Sequence, residues 1–162
     1  MSVTMRTMTE EEFDIFRSCS IASQAEERMK EYMCFLVAAT NEAEAEFAQL
    51  LPEGLRTPNH TLMVIHDGVN KELVGYLWTL YEVTEGKKQS FLCDFIILES
   101  KRRQGYGTAA LQCMEEKATE DGCQESVLFV SDRNEIAKQL YQKCGYQSFR
   151  RMIDGAYMKK QL

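Results

Sequence analysis

The sequence predicts a single α/β domain built on a mixed sheet, and three observations lead to that prediction. The chain has 162 residues, which is about the length of one domain. Helical periodicity dominates its first third, whereas short β-branched and aromatic runs follow from residue 61 onward. After residue 98 helical and strand patterns alternate up to a closing hairpin. We therefore predict one domain that covers residues 1–162.

The first third is predicted to contain a short strand followed by helices. The strand covers residues 3–6. Thr40 or Asn41 is a suitable cap for a later helix, which must stop by residues 52–54, where proline and glycine occur. The apolar stripe of the preceding helix has the i, i+3, i+4, i+7 spacing and consists of Met29, Tyr32, Met33 and Leu36.

The middle of the chain is predicted to form three consecutive strands. They cover residues 61–66, 73–83 and 91–98, with turn sequences at 67–68 and 85–87 between them. Strands joined by so few residues are expected to be antiparallel. The third strand is the most continuously apolar, so we place it at the centre of the sheet.

The last part of the chain alternates between helix and strand. We predict a loop over residues 99–107, a helix over 108–120, a strand over 126–130, a helix over 134–143 and a hairpin of residues 146–151 and 156–160 that turns at Asp154-Gly155.

Composition and charge exclude several classes of protein. Hydrophobic residues make up 44% of the chain and charged residues 27%, which is typical of a globular protein. No apolar run approaches the ~20 residues that span a bilayer, and residues 1–6 lack the apolar core of a signal peptide. The net charge of −6 argues against a general nucleic-acid binder, which needs a basic face. We expect a cytoplasmic protein with no membrane or nucleic-acid partner.

The cysteines and histidines do not have the spacing of a metal site. No C-x-x-C pair occurs, and His60 and His66 lie far from any cysteine cluster, so we predict that no metal is bound. Thiols that sit beside apolar residues are typical small core side chains of a reducing compartment. The six cysteines are Cys19, Cys34, Cys93, Cys113, Cys123 and Cys144.

The loop between residues 98 and 108 has the features of a phosphate site. Gly105 and Gly107 allow backbone N–H groups to turn inward, next to the positive end of the helix that follows. Three basic residues precede the glycines and can neutralise a diphosphate or a 3′-phosphate. They are Lys101, Arg102 and Arg103.

Other interpretations of this loop remain open at the level of local pattern. It contains no Gly-Lys-Ser/Thr, which excludes a Walker loop. Residues 105–110 match G-x-G-x-x-A, and Asp132 could bind a ribose as in a dinucleotide site. However, six residues separate Leu98 from Gly105, and few residues remain for a larger parallel sheet. The last alternative is an ordinary strand-to-helix loop.

Two segments resemble motifs of one superfamily. The pattern Arg102-x-x-Gly105-x-Gly107 after an apolar strand resembles the R/Q-x-x-G-x-G/A acetyl-CoA loop of the GNAT superfamily of N-acetyltransferases. The pattern N-x-x-A-x-x-L-Y-x-x-x-G-Y over residues 134–146 is similar to its second conserved segment. Residues 51–58 and 75–78 look similar to a bacterial subgroup without an assigned substrate. The resemblance implies a mixed, mostly antiparallel sheet that is flanked by helices, with a splayed strand pair for acetyl-CoA.

The resemblance also implies how acetyl-CoA is held. The backbone of residues 96–98 would pair with the pantetheine arm, main-chain N–H groups of residues 102–108 would bind the diphosphate, and Asn134 would bind pantetheine. The cofactor-binding residues implied in this way are Ile96, Ile97, Leu98, Arg102, Arg103, Gln104, Gly105, Tyr106, Gly107, Thr108, Asn134 and Tyr141.

Two residues are predicted to be catalytic. Tyr141 matches the family tyrosine near the thioester sulfur, which would protonate the departing thiolate. Its other interpretation is a core aromatic residue. Asp94 is an ionisable residue in an apolar strand, and burial would raise its pKa toward that of a general base. Asp94 could equally be a hydrogen-bonded structural carboxylate, and Glu82 is a second candidate base.

The sequence thus predicts an acetyl-CoA-dependent N-acetyltransferase that acetylates a primary amine of a small molecule or peptide. We expect direct transfer, because no cysteine adjoins a histidine or lies in the predicted loop. The alternative is a CoA-binding sensor or interaction module without turnover. A homodimer is also expected, since the family often dimerises.

Overall fold

The computed structural model describes residues 1–32 and 35–162. These residues divide into two compact units, residues 8–60 and residues 1–7 with 61–162. The strands are β1 (Val3–Thr7), β2 (His60–Asp67), β3 (Leu73–Thr84), β4 (Lys87–Ile97), β5 (Glu125–Ser131), β6 (Gln147–Arg151) and β7 (Gly155–Gln161). The helices are α1 (Glu10–Tyr32), α2 (Leu36–Leu50), α3 (Tyr106–Glu120) and α4 (Glu135–Lys143), with 3₁₀ turns at Gly54–Arg56 and Glu99–Lys101.

The unit of residues 8–60 is a pair of packed helices. Thr9 begins α1 with a capping box, in which the Glu12 N–H donates to Thr9 Oγ1 (3.2 Å) and the Thr9 N–H donates to Glu12 Oε2 (2.8 Å). The rings of Phe13 and Phe16 lie 6.0 and 6.2 Å from the ring of Phe47 on α2. Buried aromatic contacts of this kind hold the two helices together.

The predicted boundary between the first two helices is wrong. α2 begins at Leu36, not at a cap at Thr40 or Asn41, and the residue before it is extended Phe35 with φ −73° and ψ 147°. The predicted stripe that ends at Leu36 therefore crosses from one helix into the next, and its member Met33 lies outside the described residues. Phe35 precedes α2 in an extended conformation and forms no side-chain cap hydrogen bond. Capping residues in the sequence therefore place the start of this helix too late in the chain.

The seven strands form one mixed sheet in the order β1-β2-β3-β4-β5-β7-β6. β4 is central, as predicted, and pairs with β3 in the antiparallel sense and with β5 in the parallel sense. The pairs β1–β2, β5–β7 and β6–β7 are antiparallel. The predicted fold class, a mostly antiparallel mixed sheet with flanking helices, is confirmed. No helix in the described part of the chain is long and apolar enough to cross a membrane.

The main core lies where α3 and α4 pack against the sheet. Its α3 residues follow the helical spacing and include Ala110, Leu111 and Met114. Two strand residues that they join, Leu77 and Leu128, are fully buried.

The closing hairpin differs from its prediction in the role of glycine. Gly155 is the first residue of β7 rather than part of the turn. A Cβ on Gly155 would lie 2.3 Å from the carbonyl oxygen of Val130, so glycine is needed for close packing of β5 and β7. The predicted hairpin itself is present, with its turn at residues 152–154, so Asp154 belongs to the turn and Gly155 follows it.

Candidate active site

β4 and β5 separate from each other in the middle of the sheet. Their parallel register runs only from Gln89 opposite Glu125 to Leu92 opposite Leu128, although both strands continue further. At this point Cys93 is an extra residue in β4, since the register against β3 shifts there. A bulge of this kind bends a strand and ends pairing. The described strands thus contain the splayed pair that the resemblance implied.

Only part of the β4 edge is open toward the gap. Alternate residues of a strand point their backbone groups to opposite edges. The Leu98 N–H donates to Val74 O at 2.9 Å, and a Cβ on Gly75 would lie 2.0 Å from Ile96 O, so both of these β4-end residues face β3. Of the three predicted pantetheine-pairing residues, Ile97 alone turns its backbone toward the gap. The prediction for Ile96 and Leu98 is corrected, because strand alternation commits their backbone groups to β3.

Phe95 is the other residue whose backbone points into the gap, and the sequence did not single it out. Its N–H donates to Asp94 Oδ1 at 2.8 Å, so a carboxylate already occupies this donor. Once the register is known, strand alternation shows that Phe95 and Ile97 are the two residues of this segment whose backbone groups face the gap. The bulge at Cys93 fixes that phase, and no local sequence pattern marks it.

The loop after β4 is held by its own backbone and side chains. Arg102 Nε donates to Ile97 O at 3.0 Å, and Gln104 Nε2 donates to Ser100 O at 2.9 Å. Arg103 and Gly105 have positive φ, +58° and +88°, so the chain turns sharply into α3. The left-handed conformation suits glycine and explains why Gly105 precedes the helix.

The three basic residues before the glycines differ in their contacts. The Lys101 ammonium forms an ion pair with Glu72, which raises the lysine pKa, so its charge is offset before any phosphate binds. Lys101 thus already has an anionic partner, and that all three residues neutralise a phosphate stays a prediction. Arg102 and Arg103 are exposed and can face an anion. Because Glu72 lies 29 positions before Lys101, no local sequence pattern distinguishes Lys101 from the two arginines.

The N-terminus of α3 presents backbone donors beside the gap. The first intrahelical bond there is Ala109 N to Gly105 O at 3.1 Å, so the N–H groups before Ala109 have no acceptor within the helix. These groups and the helix dipole favour an anion. A Cβ on Gly107 would lie 3.1 Å from Leu140 Cδ2, so this glycine lets α3 approach α4 closely.

Two predicted loop residues have side chains that serve other contacts. Tyr106 is 5% exposed and its hydroxyl donates to Asp67 Oδ2 at 2.5 Å. The Thr108 hydroxyl is hydrogen-bonded to the Cys144 thiol, whose pKa is nevertheless raised, mainly by burial. Tyr106 can therefore contact a phosphate only through its main-chain N–H group, whereas the half-buried Thr108 keeps further hydrogen-bonding capacity on its hydroxyl.

The second motif defines both ends of α4. Asn134 is the N-cap, and its Oδ1 accepts from the Ala137 N–H at 3.2 Å. At the other end Gly145 has φ +96°, and the Tyr146 N–H donates to Tyr141 O at 3.0 Å. This is a Schellman termination, which requires a residue such as glycine at that position. The cap uses the Asn134 oxygen and leaves its amide N–H₂ as a donor on an exposed loop.

Tyr141 is buried in the last turn of α4 and next to the gap. It is 8% exposed, and its ring lies 5.8 Å from that of Tyr146. Burial raises the pKa of Tyr141, and the negative charge of Asp94 raises that pKa further. The phenol therefore stays protonated at neutral pH. The two predicted catalytic residues, Tyr141 and Asp94, are within electrostatic reach of each other across the gap.

The other titratable groups near the gap differ in position. Burial raises the pKa of the Cys93 thiol to about 12, with smaller effects from the charges of Asp94 and Glu82. Glu82 Oε1 accepts from Gln89 Nε2 at 2.7 Å on the adjacent strands. His60 and His66 lie in β2, which β3 separates from β4 in the sheet. The carboxylates are thus better placed than the histidines to serve as bases.

Comparison with known proteins gives matches over most of the chain. The family model described as "Acetyltransferase (GNAT) family" matches residues 26–146. The chain is 32% identical to the uncharacterized N-acetyltransferase YdgE of Bacillus subtilis over 162 residues, which are 100% of this chain and 99% of that protein.

Solved structures show the same architecture. The crystal structure of the acetyltransferase YycN from Bacillus subtilis matches with a TM-score of 0.87 at 28% identity, covering 94% of this chain and 97% of that chain. The spermidine N-acetyltransferase from Vibrio cholerae, solved with CoA and spermine, matches with a TM-score of 0.70 at 16% identity. That match covers 99% of this chain and 95% of the other, and it supports the fold alone.

Proposed function

This chain belongs to the GNAT acetyltransferase family and is an acyltransferase, and we propose that it transfers an acetyl group from acetyl-CoA directly to a primary amine. The acceptor would be a small molecule or a peptide. The observation that carries the proposal is the gap between β4 and β5, which opens beside the N-terminus of α3 and beside the side chain of Tyr141.

In this proposal acetyl-CoA lies along the gap. Its diphosphate accepts hydrogen bonds from the main-chain N–H groups of residues 105–108, and Arg102 and Arg103 offset its charge. The pantetheine arm pairs with the Ile97 N–H like an added strand. The amide N–H₂ of Asn134 donates to a pantetheine carbonyl while its oxygen keeps the helix cap. CoA is bound in the crystal structure of the Vibrio cholerae enzyme, which has the same fold.

The chemistry needs a base for the amine and an acid for the sulfur. An alkylamine with a pKa near 10 is mostly protonated at neutral pH, so Asp94 or Glu82 removes a proton directly or through water. The nitrogen lone pair then forms the new C–N bond at the thioester carbon, and the carbonyl oxygen becomes anionic. A main-chain N–H near Ile97, on the open edge of β4, stabilises that oxygen. When the C–S bond breaks, Tyr141 gives its proton to the thiolate of CoA. The nitrogen loses its extra proton through water, which restores the tyrosine hydroxyl.

Direct transfer is favoured over an acetyl-cysteine intermediate. Cys93 lies at the gap, but its pKa of about 12 keeps the thiol protonated at neutral pH. Only the thiolate is an effective nucleophile. A covalent route through Cys93 would therefore need a base strong enough to overcome its burial.

The choice of acceptor is the least specified part of the proposal. Polyamines are the first class to test, because spermine is bound in one structure of the same fold. Amino acids, aminoglycosides and protein amines follow. That the chain is cytoplasmic, forms a single domain and forms a homodimer stay predictions.

The test begins with thermal unfolding in the presence of acetyl-CoA or NAD. Ligand at 100 times its Kd adds about 2.7 kcal/mol to folding stability, which raises Tm by roughly 5–10 °C at this chain length. We expect a rise with acetyl-CoA and none with NAD. A panel of primary amines is then screened for release of free CoA. Binding without turnover on any amine would favour the sensor alternative, and no binding of acetyl-CoA would overturn the proposal.

A further inference from the structure

A buried hydrogen bond ties the first residue of α3 to the end of β2. Tyr106 Oη donates to Asp67 Oδ2 at 2.5 Å, and both side chains are buried, at 5% and 7% exposure. The contact joins residues 39 positions apart. It lies outside both motifs of the superfamily, because the residue between the two loop glycines is not specified there and Asp67 belongs to another strand.

The Asp67 carboxylate is itself held in place. Its other oxygen, Oδ1, accepts from the N–H groups of Val69 at 2.7 Å and Asn70 at 2.9 Å. The Tyr106 hydroxyl is the largest cause of its lowered pKa of about 2, followed by these two N–H groups. Asp67 is therefore a carboxylate at neutral pH. A charged acceptor with three donors is a fixed point on the sheet.

The position of this acid is electrostatically unfavourable for an anion site. Asp67 contacts the side chain of the residue that begins α3, and an acid near a helix N-terminus offsets the dipole that attracts phosphate. If affinity depended on charge alone, a neutral core residue would serve better. The hydrogen bond between Tyr106 and Asp67 therefore does not serve to attract the phosphate. Its geometry indicates that it positions the N-terminus of α3.

We propose that Asp67 and Tyr106 are positioning residues that fix the N-terminus of α3, so that the N–H groups of residues 105–108 converge on the diphosphate of acetyl-CoA. This inference rests on the proposed function. The ring of Tyr106 packs in the core beneath the loop, and its hydroxyl sets the rotation of the first turn against the sheet. Preorganised donors bind more tightly because they lose less freedom on binding.

The experiment measures the Kd for CoA by calorimetry with Tyr106→Phe, which removes only the hydroxyl. We expect Kd to rise about tenfold, equal to about 1.4 kcal/mol. Amide hydrogen exchange of residues 103–108 should be faster in the free variant, because the first turn loses its anchor. These two readouts separate positioning from a general loss of stability.

The matched control is Tyr81→Phe. Tyr81 Oη donates to Asp121 Oδ2 at 2.8 Å at the other end of α3, so the control breaks a tyrosine–aspartate bond to the same helix. Its Kd for CoA should stay within about twofold of wild type, since the donors at the N-terminus are untouched. An equal rise of Kd in both variants would mean that any loosening of α3 suffices, which overturns the proposal.

A second variant keeps the test decisive if Tyr106→Phe does not fold. Asp67→Asn replaces the charged acceptor by a neutral amide and should also raise Kd. The double variant should bind no worse than the single variant with the higher Kd, because both changes act on one hydrogen bond. Independent, multiplied effects overturn the proposal. Wild-type protein that fails to bind CoA overturns the proposed function and this inference together, whereas unaltered binding by Tyr106→Phe and by Asp67→Asn overturns this inference only.

Discussion

Arg102 Nε donates to the carbonyl oxygen of Ile97 across 3.0 Å, which fastens the loop between β4 and α3 to the last residue of β4. Ile97 is also the residue whose backbone N–H faces the gap between β4 and β5. One arginine therefore links the two places where acetyl-CoA is proposed to bind, the diphosphate loop and the open strand edge.

Replacement of Arg102 should separate its charge from its geometry. Arg102→Ala is expected to raise the Kd for CoA about tenfold, since one charge-assisted contact and the loop anchor are lost. Arg102→Lys keeps the charge but lacks the planar guanidinium, so it should recover less than half of that loss. Titration of CoA at several salt concentrations measures both effects. Arg17→Ala on α1 controls for net charge, and full recovery by lysine would contradict the anchor role.

Removal of Glu72 should strengthen cofactor binding. Glu72→Gln releases the Lys101 ammonium from its ion pair, so that it adds attraction for phosphate. The pair is exposed and contributes little to stability, so we expect an unaltered Tm and a Kd for CoA that is about two- to threefold lower at low salt. The gain should disappear in high salt. Glu44→Gln on α2 is the control, and a weaker affinity in Glu72→Gln would show that the ion pair is needed for loop shape.

Tyr141→Phe should lower kcat by about tenfold or more, because the thiolate then has no acid beside it. The KM for acetyl-CoA should change little, since the ring and its packing remain. Burial and the charge of Asp94 raise the pKa of Tyr141, so the wild-type kcat should show no loss from this group up to pH 10. Steady-state rates across pH 6–10 test this. An unaltered kcat in the variant would remove the acid role.

Alkaline pH should destabilise the fold through its buried phenols. Burial raises the pKa of Tyr146 above its value near 10 in the unfolded chain, so the folded state binds this proton more tightly. The resulting stability is present below pH 10 and is lost as pH rises above it. Urea unfolding at pH 7–11 should show this decline, with a shallower slope for Tyr146→Phe. At neutral pH that variant should lose about 1 kcal/mol, because Ser126 loses its 2.7 Å partner.

The two loop glycines should respond differently to alanine. Gly105 has φ +88°, so Gly105→Ala is expected to cost about 1–2 kcal/mol of unfolding free energy. Gly107 lies within α3, where alanine gains up to ~1 kcal/mol in helix propensity, against a 3.1 Å contact with the flexible end of Leu140. Gly107→Ala should therefore stay within about 1 kcal/mol of wild type. Chemical denaturation measures both, and equal losses would contradict the backbone argument.

The motif segments could be predicted because each encodes a local backbone requirement. Asn134 caps α4, and Gly145 ends it in the left-handed conformation. Gly105 also has the left-handed conformation and directly precedes α3. Such requirements are visible in sequence because they depend on one residue and its immediate neighbours.

The parts that could not be predicted depend on register and on distant partners. Glu72 neutralises Lys101 from 29 positions away, and Asp67 meets Tyr106 from 39 positions away. The bulge at Cys93 shifts the phase of β4 and decides which backbone groups face the gap. No local pattern in a single sequence indicates these contacts or the bulge, because they depend on how the strands pair.

The helix α4 also sets the distance between Asn134 and Tyr141. Tyr141 follows the cap residue Asn134 by seven positions, which corresponds to a rise of about 10 Å along the axis and nearly two full turns. Both side chains therefore project to the same side of the helix at a fixed separation. In the proposed complex, this separation, together with the lengths of the two side chains, sets how far the sulfur that Tyr141 serves lies from the amide that Asn134 holds. The helix thus selects among donors by the length of the arm. A CoA analogue shortened by one methylene between its last amide and its sulfur should keep its Kd yet lose kcat, and equal turnover of both donors would refute this.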